Sequence, residues 1–222
     1  MTLSLAGVAA LLAPHRLEIL GGFHPEAAEA GLPAQTGTLL LIGPAEPGFW
    51  AHLREQADWS DPNPIDRWSR QVIGRLACDL GTKALFPFGG PPYHPFYRWA
   101  LRTGRVWDSP VKLLVHATQG LMVSFRGALA LRERVEVPPP VDLPCATCAQ
   151  PCLSACPAGA LGAAGYEVPA CHRFLDRQQG SDCLNGGCLV RRACPVSQRY
   201  ARLAEQSAYH MSRFHEGWDK TT

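Results

Sequence analysis

An excess of charge of one sign is missing: 21 Lys and Arg face 19 Asp and Glu, a formal net charge of +2 over 222 residues. So even a balance gives no electrostatic footprint for phosphate backbones, which excludes a general nucleic-acid binder. Lysine is scarce, occurring only at 83, 112 and 220; the resulting preference for arginine reads as coding bias, since no arginine cluster marks a phosphate site. Long apolar runs are also lacking. The longest, Leu5 to Ala13, stops at Pro14 and is about half of a bilayer span. It has no basic segment ahead of it, so neither a membrane partner nor a signal peptide is expected, and the expected compartment is the cytoplasm. The eight histidines offer no pair at metal-binding spacing on one helix. Apolar residues at 46% and charged residues at 18% exclude wholesale disorder.

What is abundant is cysteine, and it is unevenly placed. Of nine, one lies at 78 and eight lie between 145 and 194. In a reducing compartment, clustered thiols read as metal ligands rather than disulfides. The clustering also divides the chain. Pro138-Pro139-Pro140 is a stiff connector, and a boundary near 138–144 gives an α+β domain over 1–140 and a metal-bound domain with a C-terminal helix over 141–222.

Local patterns fill in the first domain. Leu3 to Leu12 has helical spacing ending at Pro14, Thr38 to Ile42 is a short buried strand, and Phe49 to Gln56 is a helix. Residues 64–80 form the clearest helix, with Asn63 as cap, Pro64 in its first position and Gly81 at its end. Its apolar stripe runs through Ile65, Trp68, Val72, Ile73, Leu76 and Leu80, and Cys78 beside that stripe reads as a buried structural thiol. Residues 121–131 alternate, with Leu121, Val123, Phe125, Leu129 and Leu131 on one side, and pair with 111–115 in an expected hairpin.

The first cysteine group is Cys145, Cys148, Cys152 and Cys156-Pro157; the second is Cys171, Cys183, Cys188 and Cys194-Pro195. A proline after the last cysteine of each group is the habit of bacterial two-cluster ferredoxins, in which the fourth cysteine of one run serves the other cluster. Three closely spaced thiolates wrap three irons of a cube, and the remaining corner takes a ligand from further along. The expected sets are therefore Cys145, Cys148, Cys152 and Cys194 for one [4Fe-4S] cluster, and Cys156, Cys171, Cys183 and Cys188 for the other. Two structural zinc sites of four cysteines each are the alternative. The spacings are looser than in the usual run, which leaves a three-iron cluster open at one site. Asn185-Gly186-Gly187 supplies the freedom for the longer loop to turn.

The stretch from Leu113 to Arg199 resembles the end of epoxyqueuosine reductase, a corrinoid and iron–sulfur enzyme. The matching features are the 121–131 strand pattern, the proline-rich link, Cys145 to Pro157 followed by Ala158-Gly159-Ala160-Leu161, and Tyr166-Glu-Val-Pro-Ala-Cys171 ahead of Cys183, Cys188 and Cys194-Pro195. The first domain is similar to the cobalamin-processing chaperone at Leu39 to Pro44, Asp61 to Leu76 and Gly120 to Pro140. The resemblance implies a flavin-reductase-like antiparallel-sheet domain followed by a small ferredoxin-like two-cluster domain. It implies a corrinoid (cobalamin) held with its lower base detached, reduced by electrons from the clusters. The implied partners are an electron-donor protein (a ferredoxin, flavodoxin or flavin reductase) and the corrinoid; tRNA stays open as a partner. No Asp-x-His-x-x-Gly run is present, so a protein histidine beneath the cobalt is not implied.

The corrinoid is expected in a cleft near the loop Phe86 to Phe96 and the 121–131 hairpin, with Phe86, Phe88, Tyr93, His94 and Arg126 as candidate contacts. Aromatics set among glycines and prolines outside regular structure commonly line pockets, although a rigid surface turn has the same composition. Arg126, on the polar face of a strand, is a candidate to meet a phosphate or corrin amide, with an ordinary solvated arginine as the other reading. Tyr200, Leu203, Tyr209, Met211 and Phe214 mark the tail 199–218 as a helical lid over the metal. A non-enzymatic ferredoxin-type carrier, with the first domain docking partners, is the competing reading of the whole chain.

Overall fold

The computed structural model describes residues 3–26, 29 and 31–218. It is a mixed α+β protein with small antiparallel sheets. Contacts divide it into one unit of residues 1–106 and 124–141, and a second of 107–123 and 142–222. The chain crosses between the units at 106–107, 123–124 and 141–142, so 107–123 belong with the cysteine segment rather than to a continuous 1–140 domain.

In the first unit a four-stranded sheet runs in the order β1-β2-β6-β3, with β1 Leu17–Phe23, β2 Thr38–Pro44, β3 Lys83–Leu85 and β6 Gly127–Leu131. Every pairing in it is antiparallel. Both β2 and β6 are buried at every residue, which explains an apolar run in β2 with no polar alternation. Buried Thr38 is satisfied on both counts: its hydroxyl donates to the Glu133 carbonyl (2.8 Å) and accepts from the Val135 N–H (3.0 Å). Helices α1 (Leu5–Leu12), α2 (Phe49–Gln56), α3 (Pro64–Asp79) and α4 (Phe96–Leu101) contribute Val8, Trp50, Leu53, Ile73 and Trp99 to the core.

Three expectations change here. Asn63 makes no capping bond; Asp61 accepts from the Asn63 N–H at 2.7 Å and pairs with Arg67 at 2.7 Å instead. Cys78 is exposed, because the buried stripe of α3 ends through Ile73, Leu76 and Ala77 and position 78 points away from it. The hairpin of 111–115 with 121–131 does not form. Strand β5 (Leu114–His116) pairs with β4 (Val106–Asp108), while β6 inserts between β2 and β3. The alternation misled because β6 is covered on both faces, so neither face needs polar residues. The proline connector is tethered to the first unit, where Val141 N–H donates to the Gly104 carbonyl and Arg105 to the Pro139 carbonyl, both at 3.0 Å.

The second unit is built from short pieces: β7 (Leu161–Gly162) paired with β8 (Gly165–Tyr166), then α5 (Val168–Leu175), α6 (Ser181–Gly186), α7 (Leu189–Ala193), α8 (Pro195–Arg199) and α9 (Ala204–Glu216). Its core joins Val111, Val115 and Leu121 to Leu161, Val190 and Val196, with Cys152 and Cys194 among them. No described helix is long and apolar enough to cross a membrane.

Candidate metal centres

Turns rather than long elements position the thiols. Cys145 and Cys148 lie in the turn that opens the segment. Gln150 then takes a left-handed backbone (φ 54), which turns its N–H onto Cys148 Sγ at 3.3 Å and starts the 3-10 turn carrying Cys152. Cys194 arrives from the far end of the chain, between α7 and α8, with Pro195 opening α8. These four thiols line one recess of about 270 Å³ with Val115, Leu121 and Pro151. Burial pushes the Cys145 thiol up to about 11, and Cys194, Cys148 and Cys152 add to that push. Burial and Cys194 raise Cys152 as well, partly offset by backbone N–H groups.

A second recess, about 360 Å³, is lined by Cys156, Cys171, Cys183 and Cys188 with Leu161, Tyr166, Val190 and Met211. Cys156 precedes Pro157 in a loop, Cys171 sits on α5, Cys183 on α6, and Cys188 is the residue before α7. Of the Asn185-Gly186-Gly187 stretch, only Gly187 uses positive φ (91), at the end of α6. Burial raises the Cys171 thiol against the opposing effect of a hydrogen bond from the Tyr166 hydroxyl; Cys188, Cys156 and Cys183 raise it further. Cys183 is raised chiefly by burial, against a bond from the Leu189 N–H.

The structure therefore gathers the eight sequence-predicted thiols into the two crossed groups of four. Burial favours the neutral thiols of Cys145, Cys152, Cys171 and Cys183, so a metal bound there must displace their protons. Soft thiolates around an apolar recess suit iron–sulfur clusters or zinc. Among the described residues no group of three or more His, Cys, Asp or Glu is disposed to hold a single metal ion.

Three groups near the second recess carried no sequence signal strong enough to single out. Tyr166 reaches Cys171 only because β7 and β8 fold back on each other. The Arg191 guanidinium, one helical turn after Cys188 on α7, donates to the Leu121 carbonyl. Buried His172, next to Cys171, is sandwiched by Phe214 (4.2 Å) and Trp218 (4.3 Å), and its Nδ1 lies 3.0 Å from His215 Nδ1. Within the 199–218 tail one helix forms, α9 over Ala204–Glu216, and its Met211 lines the second recess.

The candidate corrinoid contacts separate into groups. Phe86 and Phe88 touch (5.4 Å between centroids), and Arg70 lies over both. Arg126 lies over Phe88 and pairs with Asp66 at 3.1 Å, its side chain only 12% exposed. His94 stacks instead on Trp99 at 5.5 Å, and Tyr93 stands 66% exposed. Compared with protein families, curated proteins and solved structures, the chain matches none.

Proposed function

We propose that the chain is an iron–sulfur redox protein that binds two [4Fe-4S] clusters and delivers electrons to a corrinoid held by its first unit, for a reductive reaction or for reduction of cobalamin itself. The observation that carries the first half is the crossed grouping: Cys194 completes the set of Cys145, Cys148 and Cys152, and Cys156 completes the set of Cys171, Cys183 and Cys188. Sharing closing Cys-Pro cysteines in this way is what two-cluster ferredoxins do and two independent zinc knuckles have no need of. Bound clusters supply one-electron chemistry. The chain's own contribution is eight thiolates, apolar walls and backbone N–H donors such as that of Gln150 to Cys148.

The corrinoid half rests on the resemblance to epoxyqueuosine reductase and the cobalamin-processing chaperone, with a flavin-reductase-like first domain and a ferredoxin-like second. The Phe86, Phe88 and Arg126 group is the apolar-plus-cationic surface that supports it. The cobalt would do the chemistry, and the protein would bind, orient and reduce. One observation favours the second reading, a non-enzymatic ferredoxin-type carrier: Arg126 is already engaged by Asp66 and Phe88. Electron donors of the ferredoxin, flavodoxin or flavin-reductase kind serve both readings.

Anaerobically prepared protein is expected to be brown, bleached by dithionite, with near eight irons and eight sulfides. Cys156→Ala is expected to damage the cluster of Cys171, Cys183 and Cys188; zinc in place of iron ends the iron–sulfur reading. Titration with cob(II)alamin, followed by the shift of the corrin bands to the base-off form, decides the acceptor. No spectral change at high micromolar corrinoid, with clusters intact, leaves the carrier reading.

A further inference from the structure

Ser109 directly follows β4 and is fixed by its own backbone. Its N–H donates to the Leu113 carbonyl and its carbonyl accepts from the Lys112 N–H, both at 2.9 Å, with Lys112 in a left-handed conformation (φ 61). The residue is 3% exposed. Its Oγ is buried and has no hydrogen-bond partner among the described residues. Ser109 also lines the recess of Cys145, Cys148, Cys152 and Cys194, beside Val115 and Leu121. A buried hydroxyl left unpaired costs folding free energy, so native structures nearly always give it an acceptor. The four thiols do not supply one here, and the apolar side chains of Val115 and Leu121 have none to offer.

What fills the recess decides whether this hydroxyl is satisfied. A zinc ion held by four thiolates brings a positive charge and no acceptor of its own. An iron–sulfur cluster brings inorganic sulfides, which accept hydrogen bonds. We infer that Ser109 Oγ donates a hydrogen bond to a sulfur of the cluster held by Cys145, Cys148, Cys152 and Cys194, and thereby raises the reduction potential of that site. The inference rests on the reading of the recess as an iron–sulfur site. Reduction there adds one electron and one negative charge, drawn from a reductant of the ferredoxin or flavodoxin class, which is itself oxidised by one electron. No covalent bond forms or breaks, and the hydroxyl proton stays on its oxygen. A hydrogen bond to the sulfur stabilises the added charge, which is why its loss lowers the potential.

The test is an anaerobic redox titration of the full chain, followed by electron paramagnetic resonance, with iron and sulfide measured on every sample. Two waves are expected in the native protein. Ser109→Ala removes a single oxygen and is expected to keep full iron and sulfide while lowering one wave by about threefold in the reduction equilibrium, about 28 mV for a one-electron couple. Ser109→Thr retains the hydroxyl and is expected to restore most of that shift. The wave that moves is expected to be the one missing from Cys194→Ala, or the one displaced in Cys148→Ser should Cys194→Ala hold no iron. Full iron and sulfide with neither wave moving in Ser109→Ala, or with the wave of the second recess moving instead, overturns the inference while leaving two clusters standing. Native protein that carries zinc, or neither iron nor sulfide, overturns the reading beneath it as well.

Discussion

Segment 107–123 reaches the cysteine unit through a contact that tolerates no added atom, and this can be tested quantitatively. Gly120 has φ +58, and a Cβ there would stand 2.5 Å from the Ser197 backbone nitrogen and 2.6 Å from its Oγ. Directly after it, the Leu121 N–H donates to Ser197 Oγ at 2.9 Å, with Leu121 and Ser197 both buried. Gly120→Ala meets two costs: about 1–2 kcal/mol for a left-handed alanine, and about 1–3 kcal/mol for pushing backbone from backbone. Together they give roughly 2–5 kcal/mol. Ser197→Ala strands the Leu121 N–H at about 1–3 kcal/mol. Because both changes break one contact, the double variant is expected to lose less than the sum. Anaerobic urea unfolding of the metal-loaded chain, read by near-UV circular dichroism, measures the cycle. Leu121 also lines the recess of Cys145, Cys148, Cys152 and Cys194, so Gly120→Ala is expected to release metal from that set first. A Gly120→Ala protein within about 0.5 kcal/mol of the native chain, with unchanged metal retention, refutes the reasoning.

Other outcomes follow from single features. Exposed Cys78 is expected to be the first thiol alkylated in loaded protein, and Cys78→Ser to leave metal content unchanged; iron loss in that variant counts against its place outside both sets. Oxygen with a chelator would strip the proposed metal, whose ligation would couple to folding, so protease is expected to cut within both 107–123 and 142–200 while the β1-β2-β6-β3 sheet survives. A treated chain as resistant as the untreated one contradicts this. His15 is held below its ordinary 6.5 by burial and then by His52. Folding therefore favours its neutral form, and the stability it contributes is present above pH 6.5 and lost as pH falls through the depressed value. His15→Gln should flatten the acid side of the stability profile, measured by thermal melts across pH; an unchanged profile assigns that slope to other groups.

The grouping of the thiols was readable because it follows residue type and order. The Cys-Pro pairs pointed to crossed sets before any coordinates, and Thr38 to Ile42 announced a doubly covered strand by having no polar alternation. Positions whose meaning depends on distant partners were not readable. Alternation in 121–131 looked like a half-exposed hairpin, yet Gly120 turns the chain and β6 enters the middle of another sheet. Tyr166 joins the wall of the second recess through a two-residue strand, and Arg191 reaches the Leu121 carbonyl from a five-residue helix, geometry too local for a periodicity to report. Arg126 carried the signature of a free cation, but Asp66, sixty residues distant, takes it up.

The crossed grouping also imposes an order of assembly. Cys156, Cys171, Cys183 and Cys188 all fall inside the span from Cys152 to Cys194, so one set is nested within the loop that the other must close. As the chain leaves the ribosome the inner four are complete while Cys145, Cys148 and Cys152 still wait for Cys194. Once the inner four are tied together, the free chain between Cys152 and Cys194 is shorter, and the entropy of bringing its ends together falls accordingly. Losing Cys194 thus leaves the inner set able to form, whereas losing Cys156 slackens the loop on which the outer set depends. If both sets take metal as proposed, the two sites are unequal in biogenesis, the inner one serving as a scaffold for the outer.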